Sequence, residues 1–377
     1  ECLVGSEMCI RDREIPNRGD SAPEIETSGK ICNTSDDAVA GSLIVKFGEE
    51  AIPSLEQNAL NAAKTRSALT RSGIESVDDI LNDLHVTSLE RVFPEAGEHE
   101  ARTRAAGLHR WYVLRFASEE DLDKAAERLA GVAEISKVQF RTRLYRASDC
   151  KTYPFQATAN GQTRALVTAD FNDPNLFWQW HYINNADQAV ATTSVAGADI
   201  NVADAWKLTA GNPEVIVAIV DEGVKYTHPD LAANMWINPN PSPEYKNQDI
   251  HGWNFAADGS ISWGQKGDSG HGTHVAGTVA AVNNNGIGVC GVAGGTGKGD
   301  GVRLMSCQIF SGDLTGDALV SSRAVKYAAD HGASILQCSW GIKAGIYTSD
   351  NMFIKQSPMD YEAVSYTHLR AHETLAN

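Results

Sequence analysis

After a polar, turn-rich stretch at 14–41, the chain begins to alternate: GSLIVKF (41–47) puts Leu43, Val45 and Phe47 on one side, the period of a half-buried strand. Residues 53–70 change to a helical period, with Leu55, Ala59, Ala62 and Ala63 on one side. A weaker strand is predicted near LERVF (89–93), and an aromatic, β-branched one at HRWYVLRF (109–116). SEEDLDKAAERLAGV (118–132) is the clearest helix. Ser118 can cap it, acids fill its first turn, Leu122, Ala125, Ala126 and Leu129 form its stripe, and Gly131 ends it. ISKVQF (135–140) closes the series as another strand. The order βαββαβ predicts a small α+β, ferredoxin-like domain over 42–146.

Residues 147–175 are polar again and read as a linker. Beyond it the pattern changes. VIVAIV (215–220) is a continuous apolar run, as expected of a strand covered on both faces. THVAGTVAA (273–281) is helical and small-sided. VRLMSCQIF (302–310) is a strand, GDALVSSRAVKYAADHG (316–332) an amphipathic helix and SILQCSW (334–340) a strand. Strands alternating with helices predict a three-layer α/β sandwich on a mainly parallel sheet.

Both ends of the 377-residue chain are set aside. LVGSEMCIRDR (3–13) and VSYTHLRAHET (364–374) back-translate, in opposite directions, to the transposon-end adapters of sequencing libraries, so 1–13 and 364–377 are read as translated adapter. The remainder is long enough for one large core plus a small domain. A hydrophobic content of 42% and a charged content of 21% fit a soluble globular protein. The net charge of -16 argues against a nucleic-acid partner, and no apolar run is long enough for a membrane span. Cys32, Cys150, Cys290, Cys307 and Cys338 match no zinc spacing; the last three read as buried thiols, with a Cys307–Cys338 bridge left open.

The candidate chemistry lies in the second half. Asp221 ends the buried run, where open parallel sheets gather their chemistry; taken alone it reads as a turn residue or a helix cap. His271 follows Gly270 and precedes Gly272 at a helix start, and small neighbours let its ring come against a strand end. A histidine base needs a carboxylate to fix its tautomer and to stabilise the imidazolium that forms. His274, one turn further on, reads as a buried structural residue that seats the helix. The two histidines lack the glutamate of a zinc-protease helix. GVAGGTGKGDG (291–301) misses phosphate-loop spacing, because Gly299 follows the lysine.

VIVAIVDEGVKYTHPDL (215–231), followed by GHGTHVAGTVAA (270–281), resembles the blocks around the catalytic Asp and His of the subtilisin-like serine proteases, the subtilases. GIGVCGVAGG (286–295) and ILQCSWG (335–341) follow in the family's order, so that the resemblance covers about 176–363. It implies a serine endopeptidase in which Asp221 orients the imidazole and His271 is the general base. Ser339, Trp340 and Gly341 would pair with the main chain of an extended protein or peptide substrate. The family's calcium would sit at Asp230 and Asn285, although this loop is one residue longer than the common form; no organic cofactor is expected. The 42–146 domain would be a prodomain, acting as chaperone and intramolecular inhibitor and released by cleavage within 147–175, in a secreted or cell-envelope enzyme.

Two departures qualify this. Glu222 stands where the family commonly has a small Ser or Thr. No Gly-Thr-Ser block and no oxyanion-hole Asn block follow Gly341, and Thr348-Ser349 lacks the glycine. The chain therefore reads as a zymogen fragment, inactive as written, with its nucleophile beyond residue 363. The alternative is a proteolytically dead subtilase fold that binds peptides.

Overall fold

Residues 29–117, 119–146, 171–187, 193–343 and Met359 are described by the computed structural model, and the chain forms two units, each on its own sheet. The first runs β1 (Ala38–Phe47), α1 (Ile52–Thr65), α2 (Glu75–Asp83), β2 (Ser88–Arg91), α3 (Glu100–Ala105), β3 (Trp111–Arg115), α4 (Leu122–Ala130) and β4 (Ile135–Thr142). Its strands lie in the order β2-β3-β1-β4, antiparallel throughout. β1 is central, with Val45 opposite both Tyr112 and Val138. Leu43, Val45 and Phe47 share one face, as their alternation predicts, and pack with Leu55, Leu81 and Leu129 in one core. The split βαββαβ order is therefore the small α+β domain expected.

After β5 (Tyr145–Arg146) and α5 (Val202–Trp206) come the elements of the second sheet: β6 (Ile216–Glu222), β7 (Gly252–Asn254), α6 (His271–Ala280), β8 (Arg303–Phe310), α7 (Ala318–Asp330) and β9 (Ile335–Cys338). The order is β7-β8-β6-β9, every pair parallel. β6 pairs with β8 and β9, and its successive residues Val217, Ala218, Ile219 and Val220 are all buried, so both faces of the strand are covered as its unbroken apolar run predicts. β10 (Trp340–Gly341) pairs with β5 in a separate two-stranded sheet.

Several local expectations change. β1 is buried on both faces: Ile44, on the side opposite Val45, has no exposure. The start of α7 belongs with this first sheet, and on it Arg141 binds Asp317 at 2.6 Å and donates to the Ser42 hydroxyl at 2.9 Å. α1 stops at Thr65 because Arg66 turns left-handed (φ 55), so the predicted continuation to 70 is absent and Ala59 and Ala63 stay exposed. α2 was not anticipated, although Val77 and Leu81 sit one helical turn apart and are buried. α4 starts later than expected, on Asp121, whose side chain accepts the Lys124 N–H; Ser118 lies outside the described residues. Ala125, Ala126 and Leu129 form its buried stripe, as predicted.

The open Cys307–Cys338 bridge does not form: both thiols are free. The register explains this, because Cys307 on β8 and Cys338 on β9 each sit opposite Val220 on the intervening β6. Two strand spacings put them about 10 Å apart, beyond disulfide reach. Cys150, the linker from 147 to 170 and both adapter-like ends lie outside the described residues, and no described helix is long and apolar enough to cross a membrane.

Leu129 is fully buried between α4 and the β1–β4 pair. Leu129→Ala is expected to cost about 3 kcal/mol. Measured by hydrogen exchange, protection of β1 and β4 amides should fall on the order of a hundredfold while β6 amides hold theirs.

Candidate catalytic site

The site starts from the end of β6. Asp221 is the penultimate residue of that strand, not a turn residue after it, and it has no exposure. Its Oδ1 accepts the Glu222 N–H at 2.6 Å and meets His271 Nδ1 at 2.7 Å. Burial, with a smaller contribution from the Glu222 charge, pushes the Asp221 carboxyl up; the hydrogen bonds from His271 and the Glu222 amide oppose this.

His271 is the first residue of α6. Two glycines bring it there. Gly270 is the N-cap with φ 79, a left-handed conformation that suits a residue without Cβ. Gly272 lies so close to β6 that a Cβ on it would collide with the Glu222 carbonyl. The helix can therefore press its first turn against the strand end, which is the close approach the small residues predict. With Nδ1 donating to Asp221, Nε2 is the ring nitrogen left to accept a proton, and it makes no hydrogen bond among the described residues. The bond to Asp221 pushes the His271 pKa up, against the opposing effect of burial.

Glu222 is 1% exposed and also serves the helix. Its carboxylate accepts the His271 N–H at 2.9 Å and the Ser269 N–H at 3.1 Å. Arg146, the last residue of β5, is its counterion at 2.8 Å and lies with its guanidinium 5.6 Å from the centre of the Phe310 ring. The sequence marks Glu222 as an anomaly but gives no sign of this use, because cap and counterion arrive from distant segments.

His274 is not buried, contrary to expectation: it is exposed and lines an open cleft of about 370 Å³ with His181, His228, Asp230 and Thr273. The buried side of α6 is taken by Gly272, Ala276 and Ala280, four residues apart, and His274 falls between them on the exposed side.

Asp230 and Asn285 do come together, as hydrogen-bonded partners. Asn285 Nδ2 donates to Asp230 Oδ1 at 2.7 Å, and Asp230 Oδ2 accepts the Val289 N–H at 2.9 Å. The Asn285 oxygen accepts the Ile287 N–H. So arranged, the pair staples its loop, and among the described residues no three His, Cys, Asp or Glu side chains gather as a metal cluster. Asp173, which the sequence reading missed, adds a second carboxylate to the same loop by accepting the Asn284 N–H at 2.6 Å. Burial, and then the Asp173 charge among smaller effects, push the Asp230 carboxyl up.

Ser339 lies between β9 and β10, its hydroxyl accepting from Gln337 at 3.1 Å, and Trp340 and Gly341 make β10. All three are half-buried. The main-chain partner of β10 is β5 of the same chain.

Comparison with known proteins gives these features a family. Residues 212–373 match the model of the Subtilase family. Neuroendocrine convertase 2 of Bos taurus is 32% identical over 243 residues, which are 62% of this chain and 34% of that protein. Halolysin of Haloferax mediterranei is 32% identical over 185 residues, 49% of this chain and 29% of its own length. The chain thus spans about a third of the length of these curated relatives. Fervidolysin from Fervidobacterium pennivorans, a keratinolytic enzyme related to subtilisin, superposes with a TM-score of 0.52 at 19% identity, over 93% of this chain and 42% of fervidolysin; that likeness shows the fold. The matched stretch, residues 212–373, runs through β6 and α6, which bring Asp221 and His271 together, and over that stretch the chain is similar to the subtilase family.

Proposed function

We propose that this chain is part of a serine endopeptidase in which His271 is the general base and Asp221 its orienting carboxylate. The observation that carries the reading is the 2.7 Å contact between Asp221 Oδ1 and His271 Nδ1 at the end of a buried parallel strand. It fixes the tautomer with the Nε2 lone pair outward. That lone pair takes the proton of a serine hydroxyl as the oxygen attacks the scissile carbonyl, and returns it to the leaving amine. The serine and the oxyanion donor are supplied from beyond residue 363, since no Gly-Thr-Ser block occurs in the sequence. Residues 1–377 alone are then inactive. A substituted residue at that serine position would instead favour the peptide-binding alternative.

Ser339, Trp340 and Gly341 would hold the substrate by strand addition. Residues 42–146 would act as an intramolecular inhibitor, and cleavage between 147 and 175 would release them. A protease restrained in this way suits export to the cell envelope or beyond. Calcium at Asp230 and Asn285 requires the Asn285 amide to turn its oxygen inward; Asp173 then supplies the second carboxylate.

Three outcomes are expected. In the protein expressed from the complete coding sequence, His271→Ala and Asp221→Asn should each lower kcat for peptide hydrolysis by about 10⁴-fold or more. Undiminished cleavage in His271→Ala ends the reading. The acid limb of kcat/KM should have its midpoint above the ordinary histidine value of about 6.5, because the Asp221 bond raises His271 and only the neutral ring accepts a proton. Finally, the thermal midpoint should rise with calcium, by about 2.7 kcal/mol of stabilisation at a hundredfold excess over Kd, and Asp230→Asn should abolish the rise.

A further inference from the structure

We propose that Glu222 is a positioning residue for His271: from the last place on β6 its carboxylate caps α6 and holds the backbone of the base, while Asp221 holds the ring. The proposal rests on the reading of His271 as general base.

A helix start leaves backbone N–H groups without partners and carries the positive end of the helix dipole. α6 cannot meet this demand itself. Its N-cap is Gly270, which has no side chain, and its first turn contains no acid. Glu222 meets the demand from another element. Its Oε2 accepts the His271 N–H at 2.9 Å, its two oxygens accept the Ser269 N–H at 3.1 and 3.2 Å, and its Oε1 accepts the Ser269 hydroxyl at 3.2 Å. A carboxylate that is 1% exposed is costly without partners, and here every partner but Arg146 lies at the entry to the base's helix.

The strand explains how two consecutive carboxylates reach one residue. Neighbouring side chains on a regular strand point to opposite faces. Here the register with β8 slips: Asp221 faces Gln308 and Glu222 faces Phe310. Such an irregularity re-aims side chains at the end of a ladder. Asp221 then takes the ring of His271 and Glu222 its backbone N–H. Ring and main chain are tied to the same strand end, which leaves the imidazole little freedom to swing.

Charge follows from the same geometry. The groups facing the imidazole are Asp221 and Glu222 from β6, Arg146 from β5 and His274 from α6. Glu222 favours the protonated ring and Arg146 disfavours it. The Arg146 counterion, 2.8 Å from the Glu222 carboxylate, thus opposes the effect of the cap's charge on the ring.

The test uses the chain as it stands and needs no hydrolysis. The His271 titration is followed by NMR, its resonance identified by loss in His271→Ala. Glu222→Gln keeps the volume and one acceptor oxygen but removes the charge, so the His271 pKa should fall by about 0.3 unit or more. Arg146→Met removes the opposing charge, so it should rise by a similar amount. Glu222→Ala removes the acceptor too, and hydrogen exchange at the His271 amide should speed up about tenfold or more. The proposal is overturned if His271 titrates as in the parent in both Glu222→Gln and Arg146→Met, or if its amide keeps full protection in Glu222→Ala. Should the Glu222 variants fail to fold, the Arg146→Met titration decides alone. Failure here leaves the base assignment intact, because that assignment falls only if the complete enzyme still cleaves peptides as His271→Ala.

Discussion

The bond between Asp221 and His271 organises the second unit. It requires a carboxylate with no solvent contact and an imidazole within 2.7 Å of it. The first requirement is met by burying β6 between β8 and β9, so that the strand carries Asp221 into the sheet's interior. The second is met by glycine. At position 272 any side chain would strike the Glu222 carbonyl, and at 270 the backbone takes a left-handed turn. Small residues in α6 therefore set a distance, and their weak helix propensity is the cost of setting it.

Two adjacent buried carboxylates at one strand end form an arrangement that burial alone would neutralise. They stay usable because their partners differ. Asp221 has one oxygen shared between a backbone N–H and a ring nitrogen, whereas Glu222 has a helix start and a guanidinium. On the proposed reading the division also separates tasks, with one acid coupled to the proton and the other to the frame that carries it. Asp230 follows the same logic in its loop, where Asn285 and the Val289 N–H satisfy it.

What could be read in the sequence was what repeats or what is locally determined. The βαββαβ order was legible because its strands alternate and its clearest helix has a stripe; Leu43, Val45, Phe47 and Leu129 all reach the core that their spacing predicts. The Asp221–His271 pair was legible only as a pair and through the resemblance of its two blocks, since each residue alone reads as structural. Other features depend on segments far apart in the chain. Arg141, which donates to Ser42 on β1, finds its carboxylate in Asp317, 176 residues further along the chain, and the counterion of Glu222 comes from Arg146. No window of sequence contains such pairs. His274 misled for the opposite reason: it adjoins a site residue, but one helical turn is enough to carry it to solvent. Asp173 was hidden by its setting, since an acid among Asn, Asp and Pro looks like any turn.

The electrostatics of the pair decide when it contributes most. Asp221 raises His271 above its ordinary value, so the folded state binds this proton more tightly than the unfolded chain does. The resulting stability is complete below the unfolded histidine pKa of about 6.5 and is lost as pH rises through the higher folded value. A base must be neutral to start, so it begins its work with that stabilisation absent. On the proposed reading of His271 as the base, it would recover it when the hydroxyl proton arrives and the imidazolium forms against Asp221. The interaction is thus stronger in the charged state of the reaction than in the resting one, and only such a difference lowers a barrier. An Asp221 held away from water is what makes the difference large, and that returns the chemistry to the buried β6 strand from which the site is built.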